Sequence, residues 1–86
     1  MSIAVLGGGE SGLGAAILAK QKGHKVFLSD SGIIKEKYHR QLSQAEIDFE
    51  ESQHSEDRIL RCDLIIKSPG IPETSELVIA IRKAGI

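Results

Sequence analysis

The chain has 86 residues, eleven basic against twelve acidic side chains for a net charge of −1, 41% hydrophobic residues and 3% aromatic ones. A chain of this length builds one small domain around one core, burying roughly 60–70% of its unfolded surface, and it excludes an enzyme that needs two domains within these residues. The near-balance of charge leaves no field to draw nucleic acid or anionic lipid, so neither is an expected partner. The single cysteine, Cys62, excludes an internal disulfide framework and a Cys-rich zinc site and suits a reducing compartment. No apolar run approaches the roughly 20 residues of a membrane span. The residues ahead of Gly7 carry neither a basic region nor a signal-like apolar stretch, which leads to the expectation of a cytoplasmic protein.

Short β-branched runs alternate with longer stretches of helical period, the pattern of an α/β fold with a parallel sheet. Ile3, Ala4, Val5 and Leu6 form a continuous apolar run that ends in Gly7, Gly8 and Gly9, as a buried strand entering a tight turn would. Residues 11–22 predict a helix with Leu13, Ala16 and Ile17 on one face, Lys20 and Lys22 in its last turn and Gly23 as its stop. Residues 25–29 predict the second strand, closed by Asp30, Ser31 and Gly32. A second helix is expected over 33–45, because Ile34, Tyr38, Leu42 and Ala45 recur at helical spacing. Residues 47–49 suit a short third strand and 50–55 a polar loop, with Ser55 capping a short helix whose first turn holds Glu56 and Asp57.

Residues 63–67 predict the fourth strand. The loop over 68–72 follows because two prolines and a glycine cannot continue a ladder. A last helix over 75–84 would place Leu77, Ala80, Ile81 and Ala84 on one face, with Gly85 just past its end. A fifth strand would be due near Ile86, so the chain reads as a domain cut ahead of its next strand, since a parallel sheet lacking that strand exposes an edge.

Gly7, Gly8, Gly9, Glu10, Ser11 and Gly12 satisfy the G-x-G-x-x-G pattern between a predicted strand and a predicted helix. Gly7 permits the tight turn, Gly9 admits a phosphate to the backbone, and Gly12 lets the helix pack closely on the strand. The fold expected is therefore Rossmann-like: a three-layer parallel sheet of four strands with helices on both faces. The free N–H groups opening the helix suit a nucleotide diphosphate, although a glycine-rich turn that merely joins strand to helix has the same letters. Leu13 stands where a phosphate loop requires lysine, which excludes that type of ATP site here. The Glu10 carboxylate would repel a diphosphate, so only its backbone N–H can serve, whereas Ser11 offers a hydroxyl and a backbone donor.

Asp30 lies eighteen residues after Gly12, near the roughly 20-residue spacing of a ribose-binding acid in a dinucleotide site. Taken alone this points to NAD, and a turn-forming aspartate bonded to its own backbone would look the same. The loop after the fourth strand, Ser68, Pro69 and Gly70, would line the same end of the sheet, where Gly70 could bring bare backbone close to a flat base; ordinary turn chemistry also accounts for that tripeptide. His24, His39 and His54 are scattered without metal spacing and read as surface residues. Cys62, ahead of a strand, reads as a small core residue, and the charged run 35–40 as a solvated helix face.

Taken together, residues 7–12, the Ser29, Asp30 and Ser31 end of the second strand and the Lys-Ser-Pro-Gly-Ile-Pro segment at 67–72 resemble the N-terminal domain of the Mur ligases, most closely the branch that adds D-glutamate. That resemblance implies a Rossmann-like domain holding the UDP of UDP-N-acetylmuramoyl-L-alanine in place of NAD, within an ATP-dependent, amide-forming ligase of peptidoglycan precursor synthesis. It implies that the Asp30 carboxylate accepts the uracil N3–H while the Ser31 N–H donates to a uracil carbonyl. Glu10 and Ser11 would then supply donors to the diphosphate, and Ser68, Pro69 and Gly70 would flank the uridine. Gly32 departs from the pattern, since many relatives carry a basic residue there. ATP, magnesium and D-glutamate would belong to central and C-terminal domains outside these residues. This domain is thus expected to anchor a substrate, with no catalytic residue, metal or cofactor of its own. The competing reading is an NAD-binding domain of a dehydrogenase or regulatory protein with Asp30 on the adenosine ribose; the Ser68–Ile71 loop favours UDP. A nucleotide-free scaffold is the third.

Overall fold

A computed structural model describes residues 1–67 together with Ile79, Arg82 and Lys83. The elements run β1 (Ser2–Leu6), α1 (Glu10–Gln21), β2 (Lys25–Ser29), α2 (Glu36–Gln44), β3 (Asp48–Glu50), α3 (Glu56–Leu60) and β4 (Leu64–Lys67). The strands form one sheet in the order β3-β2-β1-β4, every pair parallel. Ile3 pairs with Val26 on one side of β1 and with Leu64 on the other.

The uninterrupted apolar character of β1 follows from burial on both faces. Ile3 and Val5 join Val26 and Leu28 in a cluster under α1 and α2, which contribute Leu13, Ala16, Ala19 and Leu42. Ala4, Leu6 and Phe27 face the other way and meet Ile59 of α3. Helices thus cover both faces of the sheet, as the sequence predicts. On the α3 side the Arg58 guanidinium lies 3.8 Å from the Phe27 ring centroid and reaches Asp48 at 3.6 Å. Cys62 is half-buried against that second cluster, and burial pushes its thiol above the usual range.

Both long helices end the same way. At the end of α1, Gly23 (φ 88) donates to Lys20 O and His24 to Ala19 O; at the end of α2, Glu46 (φ 58) donates to Ser43 O and Ile47 to Leu42 O. This is the paired-bond ending in which one residue adopts the left-handed conformation. It also explains why β3 begins at Asp48 and not at Ile47, whose N–H is committed to α2. The second helix starts at Glu36, three residues later than its apolar spacing predicts, because Ile34 is held outside it by Glu51. β4 starts at Leu64, one residue later than expected: Asp63 N–H bonds to Ser2 O while its carboxylate takes the Ser2 N–H. Ile79, Arg82 and Lys83 are helical as predicted, and the rest of the expected last helix lies outside the described residues, as does the 68–72 loop. No helix among the described residues is long and apolar enough to cross a membrane.

Candidate nucleotide-binding site

The strand order reverses after β1, with β2 on one side and β4 on the other, so the crevice at the carboxyl end of β1 is the place where this architecture binds ligands. The glycine-rich turn occupies it. Gly7, at φ 115, continues the ladder by donating to Ser29 O at 2.8 Å and turns the chain toward α1. A Cβ on Gly12 would lie 1.8 Å from the Gly7 carbonyl oxygen, so the head of α1 packs on the turn only because residue 12 has no side chain. A Cβ on the exposed Gly9 would meet nothing within 4 Å among the described residues.

Gly9 caps α1 without a side-chain acceptor, and the first helical bond runs from Leu13 N to Gly9 O at 2.9 Å. The N–H groups of Gly9, Glu10, Ser11 and Gly12 have no acceptor among the described residues. They form a cluster of free donors at the positive end of the helix dipole. The Glu10 and Ser11 side chains are exposed beside them. A groove of about 250 Å³ between α1 and α2 adjoins this end, lined by Glu10, Leu13, Lys37, Tyr38 and Gln41. A second concavity among the described residues, about 260 Å³, lies at the amino ends of the strands around Lys25, Phe27 and Arg58, away from the glycine turn.

Asp30 stands opposite the turn, and both of its oxygens are engaged. Oδ2 accepts the Gly8 N–H at 2.7 Å and Oδ1 accepts the Gly32 N–H at 2.8 Å. It is therefore a strut between the two loops as well as a turn former, and each oxygen keeps a second lone pair for a ligand. The exposed Ser31 leaves its N–H without an acceptor among the described residues, so a donor sits next to these acceptors. The structure thus brings together Gly7, Gly9, Glu10, Ser11, Gly12, Asp30 and Ser31; Ser68, Pro69 and Gly70 lie outside the described residues.

Sequence reasoning missed three contributors. Gly8, a free position in the motif, is buried, and a Cβ there would lie 2.7 Å from Ile34 Cγ1 and 3.1 Å from Asp30 Oδ2. Ile34 is buried against it outside any helix. The third is segment 50–55, expected to be loop throughout but beginning with the last residue of β3, whose polar letters conceal a dense network. Asp30 N–H donates to Glu50 O, Gln53 N–H to Asp30 O, and Ser52 N–H, from a residue at φ 60, to Gly32 O. Ser29, fully buried, places Oγ 3.0 Å from Glu50 Oε1, 3.1 Å from Gln53 O and 2.6 Å from His54 Nδ1. The hydroxyl has one hydrogen, for which Glu50 Oε1 and Gln53 O compete, and a His54 tautomer carrying its hydrogen on Nδ1 would donate to Oγ. His39 and His54 are accordingly half-buried, hydrogen-bonded groups rather than free surface residues.

Burial by itself would raise the Glu50 carboxyl, but hydrogen bonds from the Ser55 hydroxyl and amide and from Ser29, with the Arg58 charge, outweigh it and hold the group below the usual glutamate range. Glu51 is lowered as well, chiefly by the Ile34 N–H and then by His39. No group of three or more His, Cys, Asp or Glu side chains converges among the described residues.

Comparisons with known proteins fit this geometry. Residues 2–77 match the model of the MurD N-terminal domain. The chain is 49% identical over 84 residues to UDP-N-acetylmuramoylalanine--D-glutamate ligase of Christiangramia forsetii, covering 98% of this chain and 19% of that protein. It is 51% identical over the same length, with the same coverage, to the enzyme of that name from Cytophaga hutchinsonii. To that of Porphyromonas gingivalis it is 53% identical over 76 residues, covering 88% of this chain and 17% of that protein. The chain therefore spans about a fifth of the length of these relatives. Among solved structures, a ferredoxin reductase from Rhodopseudomonas palustris superposes with a TM-score of 0.64 at 20% identity, over 94% of this chain and 26% of that one, a likeness of fold alone. With the family model matched over most of its length and half of its residues shared with the ligases, this chain belongs to the MurD N-terminal domain family.

Proposed function

We propose that this domain anchors the UDP portion of UDP-N-acetylmuramoyl-L-alanine in a cytoplasmic ligase that adds D-glutamate to it during peptidoglycan precursor synthesis. The observation that carries the reading is the row of N–H groups at residues 9–12 that have no acceptor among the described residues, beside the exposed Gly9 and at the end of the sheet where Asp30 and Ser31 lie. A diphosphate satisfies those donors and is favoured by the helix dipole. Uracil presents an N3–H flanked by two carbonyls, and Asp30 with the Ser31 N–H offers an acceptor beside a donor. The names of the relatives supply the substrate class.

Bond formation lies outside this domain in the same reading. The chain's residues bind and orient the nucleotide end of the substrate, so that its alanyl carboxylate is presented to ATP and D-glutamate held elsewhere in the longer enzyme. A phosphate-loop ATP site does not fit residues 7–13, where Leu13 occupies the place of the lysine, and in this reading ATP and magnesium are held by parts of the longer enzyme outside these residues. The test is an NMR titration of the chain with UDP, UDP-N-acetylmuramoyl-L-alanine and NAD. Saturable amide shifts at residues 9–12, Asp30 and Ser31 are expected with the two uridine ligands. Saturation by NAD with no response to UDP would replace this reading with the dinucleotide one.

A further inference from the structure

The turns 7–12 and 30–32 are joined by the Gly8 N–H to Asp30 bond, and a third segment, 50–53, is bonded to the second of them. Glu51 Oε1 accepts the Ile34 N–H at 2.9 Å and meets His39 Nε2 at 3.1 Å. One carboxylate oxygen thus ties the residues leaving the Asp30 turn to the first half of α2. Ile34, 3% exposed, presses its side chain on Gly8 so closely that no Cβ fits there. The Gly8 N–H in turn bonds to Asp30 Oδ2. These contacts close a ring: Glu51 to Ile34, Ile34 to Gly8, Gly8 to Asp30, and Asp30 back through its amide and carbonyl to the 50–53 backbone.

We propose that Glu51 is a positioning residue of the nucleotide site, setting the glycine-rich turn and the Asp30 turn in one geometry through Ile34. The proposal rests on the nucleotide reading above, and it adds a residue that touches no ligand. A half-exposed carboxylate on a loop contributes little to holding a fold by charge pairing alone. Its effect is local: without an acceptor for the Ile34 N–H, residues 33–35 lose an anchor, Ile34 loosens against Gly8, and the contact between Gly8 and Asp30 shifts, while the backbone bonds of Asp30 and Gly32 to residues 50–53 remain.

The experiment compares Glu51→Ala with Glu51→Gln in the full chain. Glutamine keeps Oε1 as an acceptor and loses only the charge. Without any nucleotide, Glu51→Ala should shift the amides of Gly8, Asp30, Gly32 and Ile34 and speed hydrogen exchange at Ile34, while the β1 amides stay protected. Glu51→Gln should keep the wild-type pattern. With UDP, the alanine variant should bind roughly tenfold or more weakly, the scale of one lost hydrogen bond to a charged group, and glutamine should restore affinity to within about threefold of wild type on the same scale. Unmoved Gly8 and Asp30 amides in the alanine variant would overturn the proposal. So would wild-type UDP affinity in that variant, equal loss in both variants, or a loss of protection that extends through β1. A wild-type chain that ignores UDP would sink the nucleotide reading instead, and the amide pattern without nucleotide would still decide the role of Glu51.

Discussion

A methyl group added at Gly12 and the same group added at Gly9 should separate folding from binding. At residue 12 the new Cβ would sit 1.8 Å from the Gly7 carbonyl oxygen and 2.9 Å from the Gly7 carbonyl carbon. Both atoms are backbone, so no rotamer change relieves the clash. Relief requires the head of α1 to lift off the turn by more than an ångström, which loosens Leu13 and Ala16 against Val5 and Leu28. Overpacking a core typically costs about 1–3 kcal/mol, and a backbone collision belongs at or beyond the top of that range. Against a total stability of about 5–15 kcal/mol, Gly12→Ala should lower the denaturation midpoint severely or prevent folding. At residue 9 a Cβ meets nothing among the described residues, and its φ of −78 and ψ of −173 suit alanine. The gain from a stiffer unfolded chain and the poorer capping of alanine should roughly cancel, leaving stability within about 0.5 kcal/mol. The same methyl group fills the space over which a phosphate would approach the free N–H groups. Gly9→Ala should therefore keep its urea midpoint and lose UDP binding by calorimetry. Wild-type stability in Gly12→Ala would refute the close-approach argument, and wild-type UDP affinity in Gly9→Ala would refute the phosphate site.

Asp30→Ala removes the acceptor of both the Gly8 and Gly32 N–H groups, and it should lower stability by about 1.5–3 kcal/mol in denaturant melts; a loss of UDP affinity with unchanged stability would mean that the strut is not structural. Methylating the uracil N3 removes the one hydrogen that Asp30 would accept, so N3-methyl-UDP should bind much more weakly than UDP in the same titration, and equal affinity would take the base away from Asp30. Glu46→Gly relieves a left-handed non-glycine residue at the end of α2 and should stabilise by about 0.5–1 kcal/mol, read as a rise of several degrees in Tm; a fall in Tm would show that the Glu46 side chain does something not seen here. Glu50 titrates below its ordinary value of 4.5 in the folded chain, so its contribution is present above the unfolded value and is lost as pH falls through the lower, folded one. Stability measured from pH 7 to pH 3 should therefore drop on the acid side, and Glu50→Gln should flatten that drop; an identical slope in both chains would exclude Glu50 as a source.

The parts legible in the sequence were those whose demands are written in residue type at one place. β2 falls on residues 25–29 as predicted because Val26, Phe27 and Leu28 are bounded by Gly23 behind and Asp30 ahead. Gly7, at φ 115, and Gly12, whose Cβ would lie 1.8 Å from the Gly7 carbonyl oxygen, carry steric requirements that no other residue meets, and both are found in the turning and packing roles the motif assigns to them. The start of α2 was not legible. Ile34 has helical spacing to Tyr38, yet its burial comes from Gly8, 26 positions earlier, and its N–H is taken by Glu51, 17 positions later. The same limit hid Glu50 and Glu51. In the sequence they are two more letters in a polar loop, and only the pairing of β2 with β3 brings them under residues 29–34.

Asp30 shows why spacing alone left the ligand open between NAD and UDP. An acid at the end of the second strand is required here whether or not a nucleotide is present, because it supplies the acceptor for the buried Gly8 N–H and closes the turn at Gly32. A buried donor left unpaired costs enough that this duty is sufficient to account for the residue. In this chain the spacing motif therefore reports how a glycine-rich turn is braced against its neighbouring loop. What tells the ligands apart is the group next to the acid. A ribose diol brings two hydroxyls that an acceptor satisfies by itself, whereas the uracil edge also brings carbonyls that need a donor. Ser31, exposed and with its N–H unused among the described residues, provides one. The bracing by Glu51 matters for the same reason: it fixes the turn that sets the Ser31 donor beside the Asp30 acceptor, and it is that adjacency, more than the aspartate, that suits a pyrimidine.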